Sequence, residues 1–281
     1  MIAGSTGRSP RADRASGRHR HRPCGFVVTF ALVTGASSGI GRAFAELLAA
    51  RGFRVVLVAR DEARLRTLAV GLPGTGHEVL RADLAGIAGC DAVAARIEDD
   101  ERPVTLLVNA AGIGTADAFP RVELQDEEKQ LFVDVRAMLR LCWTASRAMT
   151  RRREGAIVNV ASTAAIWSAG TYAGAKAWVV AATEGLRNTL ADTSVRVLCV
   201  IPGFTCSEFH ARSNVDNSGV RPWLWLAPER VAREALTALD AGRGVCVPAR
   251  RYRLLVGVLR LMPAGARRAV LRRIAPLKPA R

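Results

Sequence analysis

Tyr172 and Lys176 stand four residues apart in Tyr172-Ala173-Gly174-Ala175-Lys176, in a chain with only two tyrosines and three lysines. On a helix this spacing puts both side chains on one face, with Cβ atoms about 5–6 Å apart. An ammonium beside a phenol favours the phenolate and lowers the tyrosine pKa from its reference of about 10. Tyr172 tuned in this way would give and take a proton near neutral pH. Such pairs also arise by chance, so the elements around them decide whether any chemistry follows.

Those elements alternate. Phe26 to Val33 is a short apolar run with β-branched residues and reads as a buried strand. Thr34 to Gly41 is a glycine-bearing turn, and Arg42 to Arg51 reads as a helix ended by Gly52. Strands are expected at 53–59, 78–81, 104–108, 156–161, 195–201 and 244–247. Helices are expected at 61–70, 87–100, 123–151, 171–190 and 227–240. Short links between alternating strands and helices predict one α/β domain over residues 25–248, a doubly wound parallel sheet covered on both faces. Tyr172 and Lys176 then fall on one helix of that domain.

The turn after the first strand runs Thr34-Gly35-Ala36-Ser37-Ser38-Gly39-Ile40-Gly41. Glycines let backbone approach a pyrophosphate, and the following helix offers unpaired N–H groups and a positive dipole end. A purely structural turn is the plainer reading of the glycines alone. Arg60 follows the second strand, where a dinucleotide site reads the adenine ribose. An arginine there suits the 2′-phosphate of NADP, and an acid suits NAD. Asp61 is either a helix cap or a competing acid.

In order and spacing these residues resemble the short-chain dehydrogenase/reductase family, over roughly 28–248. The resemblance implies a Rossmann-type fold and hydride transfer between a nicotinamide and a carbonyl or alcohol carbon. It implies a phosphate loop of Gly35, Ser37, Ser38, Gly39, Ile40 and Gly41, with NADP(H) preferred through Arg60 and NAD(H) also admitted. Asp83 and Leu84 would lie on the adenine side, and Asn109, Ala110 and Gly112 at the adenine ribose. Pro202 and Gly203 would pack on the nicotinamide, and Ser207 would bond its carboxamide. Tyr172 would protonate the substrate oxygen while Ser162 hydrogen-bonds it. Lys176 would depress the Tyr172 pKa and hold the nicotinamide ribose, and Asp134 stands where the family has a supporting asparagine.

The chain departs from the family pattern at three points. Ala110 replaces a second asparagine. Ser162 precedes Tyr172 by only ten residues, which is shorter than the family spacing and trims the loop 163–170. Asp134, unlike asparagine, cannot donate a hydrogen bond when ionised. Activity that is retained but altered is the expectation. The rival is a non-catalytic nucleotide-binding or scaffold protein of the same fold, recruited to membranes by its tail.

The net charge of +16 belongs to the ends. Residues 1–24 carry +5, residues 249–281 carry +10 with no acid, and the middle carries +1. The first 24 residues lack an apolar core and read as a disordered basic extension or a misplaced translation start. Residues 249–281 read as a basic amphipathic tail with Leu254, Leu255, Val258, Leu259 and Met262 near one face. Such a tail suits an anionic membrane surface, and it equally suits packing on its own domain or a partner subunit. No nucleic acid is expected, because Tyr252 is the only aromatic in either end. The six cysteines make no Cys-x-x-Cys pair and no zinc spacing, which suits a reducing cytoplasm. The resemblance adds a homo-oligomer. The lid 204–226 contains Trp223 and Trp225, which either wall a site for an apolar carbonyl or alcohol or pack on the body.

Overall fold

The computed structural model describes residues 29–114, 121–167, 170–209, 215–216, 219–263, 265–266, 269–270 and 278–279. The extension expected over 1–24 lies outside them. Seven strands form one parallel sheet: β1 (Phe30–Thr34), β2 (Arg54–Ala59), β3 (Glu78–Arg81), β4 (Val104–Asn109), β5 (Gly155–Val160), β6 (Val195–Val200) and β7 (Val245–Cys246). Their order is β3-β2-β1-β4-β5-β6-β7. The central strands are apolar on both faces, as a parallel sheet between two helix layers requires. Every residue of β1 is buried.

Helices α1 (Gly39–Ala50) and α2 (Glu62–Gly71) follow β1 and β2, and α3 (Ile87–Glu98) follows β3. Then come α4 (Leu124–Leu131), a π-helical turn Phe132–Ala137, and α5 (Met138–Arg152). Helices α6 (Ala164–Trp167) and α7 (Gly170–Thr189) separate β5 from β6. Helix α8 (Pro228–Asp240) precedes β7, and α9 (Arg250–Leu261) follows it. Alternation along β1 feeds two cores. Ala31 and Val33 join one with α1 and α8, while Phe30 and Leu32 join the other with α3 and α5.

The chain leaves β1 toward β2 on one side, and β4 pairs on the other. That reversal of strand order opens a crevice at the carboxyl ends of β1 and β4, the usual place for a ligand in such sheets. The glycine turn and the segment Ala110 to Gly112 both sit there.

Two expectations need correction. Helix α1 begins at Gly39, so the last glycines form its first turn. More importantly, the compact body does not end at Pro248. Tyr252 on α9 is fully buried. Its hydroxyl accepts a hydrogen bond from the Phe204 N–H at 3.0 Å and donates to the Leu224 carbonyl at 2.7 Å. Tyr252, Val256 and Leu259 face the core, while Leu254, Val258 and Leu261 are exposed. The single apolar face drawn through 254–262 is therefore split between core and solvent. Lys278–Pro279 pairs antiparallel with Val215–Asp216, bringing the end of the chain back to the lid.

Candidate active site

Two buried asparagines fix the floor of the crevice. The Asn109 Nδ2 donates to Asn159 Oδ1 at 2.9 Å, and Asn159 Nδ2 donates to Thr183 Oγ1 at 3.0 Å. This chain ties the ends of β4 and β5 to α7, the helix that carries Tyr172 and Lys176. Thr34 Oγ1 accepts from the N–H groups of Ala110 and Ala111, both at 3.1 Å. Ala110 thus lies in a backbone clasp that needs no side-chain amide.

Lys176 and Asp134 face each other in the interior. The Lys176 Nζ lies 3.7 Å from Asp134 Oδ2, and neither side chain is more than 4% exposed. Nζ also donates to the Val160 carbonyl at 3.4 Å. Asp134 Oδ1 accepts from the Ile113 N–H at 3.1 Å. Asp134 sits on the π-helical turn, a feature frequently found at functional sites. Gly112 lies against the pair. A Cβ there would come within 3.0 Å of Asp134 Oδ1 and 3.2 Å of Lys176 Nζ. Burial pushes the Asp134 carboxyl up to about 6, against the pull of Lys176 and the Ile113 N–H.

Tyr172 completes the group. Lys176 Nζ lies 5.6 Å from its ring centroid, and Ser162 lies near enough to lower its pKa. Ser162 Oγ itself accepts from the Ala164 N–H at 3.1 Å. The shortened loop therefore still lets Ser162 reach Tyr172. The expected drop in the Tyr172 pKa does not appear. Burial raises it, the Asp134 charge raises it further, and only Ser162 opposes them. The carboxylate beside Lys176 counters the ammonium that was to favour the phenolate.

The glycine turn meets the needs of a phosphate cradle. Gly35 and Gly39 have φ of +68° and +55°, values open to glycine at no steric cost. Ser38 makes no side-chain cap on α1, and the first turn of that helix has no acid. Its leading N–H groups remain available to an anion. Arg60 is exposed at the end of β2. Asp61 proves to be the cap of α2, accepting from the Arg64 N–H at 3.0 Å, and it pairs with the Arg64 guanidinium at 3.3 Å. Asp83 is exposed and Leu84 buried, with Asp83 Oδ1 turned back on the Ala85 N–H at 3.1 Å. The Pro202 carbonyl accepts from the Thr163 N–H at 2.9 Å. Gly203 is held by Tyr252, whose ring would stand 1.9 Å from a Cβ there.

The lid also brings Glu208 and Phe209 to the crevice, two residues that sequence reasoning did not single out. Ser207 lies against Gly39, where a Cβ would meet its own Cβ at 2.8 Å. Glu208 takes two hydrogen bonds from Arg64 Nη1, at 3.0 and 2.7 Å. Phe209 stacks on Tyr172 with ring centroids 5.5 Å apart. Trp225 packs on Phe204 at 5.7 Å, whereas Trp223 is half exposed. Buried Asn159, Thr183, Gln130 and Glu127 were also missed. In sequence a buried polar residue looks like any polar helix or strand residue.

Comparison with known proteins agrees with this geometry. The short chain dehydrogenase family model matches residues 29–218. A 3-oxoacyl-[acyl-carrier-protein] reductase of Escherichia coli is 33% identical over 199 residues, which is 69% of this chain and 81% of that protein. A short-chain dehydrogenase from Sphingobium yanoikuyae, solved in complex with NADPH, superposes with a TM-score of 0.75 at 30% identity, covering 87% of this chain and 95% of that one. A 3-ketoacyl-(acyl-carrier-protein) reductase from Brucella melitensis, complexed with NADH, gives 0.70 at 28% identity, covering 78% and 95%. With the parallel sheet, the glycine turn and the Ser162, Tyr172 and Lys176 cluster, these matches show that the chain belongs to the short-chain dehydrogenase/reductase family of oxidoreductases.

Proposed function

We propose that the chain is an NADP(H)-preferring oxidoreductase for an apolar ketone, aldehyde or secondary alcohol. The approach of Ser162 and the buried Lys176 to Tyr172 carries this reading. The bound nicotinamide supplies or accepts the hydride. Tyr172 gives its phenolic proton to the substrate oxygen in reduction, and Ser162 hydrogen-bonds that oxygen as charge develops. Lys176, with Asp134 behind it, holds positive charge next to the phenol.

Gly35, Ser37, Ser38, Gly39, Ile40 and Gly41 would hold the pyrophosphate, and Arg60 the 2′-phosphate. Capping by Asp61 removes the competing acid and supports NADP(H), while NAD(H) remains usable. Asp83, Leu84, Asn109, Ala110 and Gly112 would border the adenosine, and Pro202, Gly203 and Ser207 the nicotinamide. Phe209 and Trp225 favour an apolar substrate. Spectrophotometric turnover of a panel of ketones and aldehydes with NADPH and NADH tests the assignment. Turnover with an NADPH preference supports it. NADPH binding without turnover, unrestored by Asp134→Asn, would instead favour the non-catalytic scaffold.

We also place the protein in the cytoplasm as a homo-oligomer, since Cys90, Cys142 and Cys246 are buried thiols and Leu131, Phe132, Leu139 and Trp143 expose an apolar stripe running from α4 through the π-helical turn into α5. No described helix is long and apolar enough to cross a membrane. Leu254, Val258 and Leu261 on α9, followed by an acid-free basic end, support peripheral contact with an anionic membrane at its inner face. Deleting 249–281 would strip Tyr252 from the core, so the test is the triple serine variant at 254, 258 and 261. It should lose sedimentation with anionic vesicles, and unchanged sedimentation refutes the contact.

A further inference from the structure

We propose that Glu208 is a positioning residue for the cofactor: its pair with Arg64 fastens the lid across the dinucleotide groove and sets the rate of cofactor exchange. The proposal rests on the oxidoreductase reading above, because it takes NADP(H) or NAD(H) as the occupant of that groove. The base of the lid is fixed. The Leu226 N–H donates to the Phe204 carbonyl at 2.8 Å, and the Cys206 N–H donates to the Leu226 carbonyl at 2.9 Å. From that base three successive residues each take a different wall of the crevice. Ser207 lies against Gly39 in the first turn of α1. Glu208 accepts from Arg64 on α2. Phe209 stacks on Tyr172 of α7.

The sheet order gives this reach its meaning. Helix α1 follows β1 and α2 follows β2, and the two strands are neighbours. The step from Ser207 to Glu208 therefore runs from the glycine turn to the helix behind Arg60. Those are the two places where the pyrophosphate and the adenine ribose would be held. A bound dinucleotide joins the same two places, so the lid has to release Arg64 to let it in or out.

Arg64 and Glu208 stand 144 residues apart in sequence, so the contact is made by the fold and not by neighbours on one helix. The guanidinium is aimed before Glu208 meets it. Its Nε lies 3.3 Å from Asp61 Oδ2, and Asp61 is itself fixed as the cap of α2. Its Nη1 then reaches both Glu208 carboxylate oxygens, at 3.0 and 2.7 Å. An arginine held this way loses less side-chain freedom on pairing. Both partners are half exposed, at 49% and 48%. Salt therefore weakens the pair, and it shifts an equilibrium by no more than about fivefold. That strength suits a fastening that must open in every catalytic cycle. It also ties the two ends of the site together, since the lid turn that Glu208 holds presents Phe209 to Tyr172.

The test is dissociation of NADH in stopped flow, read by nicotinamide fluorescence with no substrate present. NADH lacks the 2′-phosphate, so any contact of Arg64 with that group does not enter. Glu208→Gln and Arg64→Gln should each speed release about two- to fivefold. The double variant should be no faster than either single change, because each removes the same contact. Raising salt should speed release from the wild type more than from Glu208→Gln. Release from Glu208→Gln at the wild-type rate overturns the proposal, as do additive effects of the two changes or an equal response to salt. If the wild type binds neither NADH nor NADPH, this proposal and the oxidoreductase reading fall together. If release depends on the pair but no ketone is reduced, the oxidoreductase reading alone falls.

Discussion

Lys176 Nζ and Asp134 Oδ2 form a buried ion pair at 3.7 Å, with Lys176 one turn of α7 beyond Tyr172. A buried pair acts strongly on its surroundings, because little solvent screens its charges. The consequence for Tyr172 is direct. After burial, the Asp134 charge is the next largest cause that raises the Tyr172 pKa.

Replacing Asp134 with asparagine should therefore lower the Tyr172 pKa. In alcohol oxidation Tyr172 acts as base, so the acid limb of the pH–rate profile should move to lower pH in Asp134→Asn. An unmoved limb would separate Asp134 from Tyr172.

The same carboxyl makes stability depend on pH. Its folded pKa is about 6 against an ordinary 3.8, raised by burial and opposed by Lys176. Between those values the folded protein keeps a proton that the unfolded chain has lost, so this group adds stability as pH falls. Asp134→Asn lacks that slope. Between about pH 7 and pH 5, urea unfolding should show wild type gaining about 1 kcal/mol relative to the variant. A constant gap would contradict the buried titration.

Arg60 is the side chain that should separate the two cofactors. Losing a charge-assisted hydrogen bond costs about 1.5–3 kcal/mol. Arg60→Ala should thus raise the KM for NADPH about tenfold or more while sparing NADH. Equal losses with both cofactors would place the 2′-phosphate elsewhere.

Tyr252 joins α9 to the lid root. Tyr252→Phe leaves the Phe204 N–H and the Leu224 carbonyl without their partner, at a cost of about 1–3 kcal/mol. Thermal unfolding should fall by several degrees. No change would mean that α9 contributes little to the body.

Much of this was legible in the sequence because it is local. The alternation of apolar strands with helices gave the sheet, and Gly35 to Gly41 marked the turn between β1 and α1. The four-residue spacing put Tyr172 and Lys176 on one helix face, and both lie on α7. What stayed hidden was set by distant contacts. The resemblance put Asp134 near Lys176, but the effect of its charge on the Tyr172 pKa was missed. Tyr252 looked like part of a loose tail because its partners, Phe204 and Leu224, lie 48 and 28 residues away. Asp61 was ambiguous until its bond to the Arg64 N–H showed it to be a cap.

The most direct test of the central claim is turnover by Tyr172→Phe, with NADPH binding measured in the same preparation. Binding should persist while ketone reduction falls by about 100- to 10,000-fold. Turnover at the wild-type rate would contradict the role of Tyr172 as the proton donor.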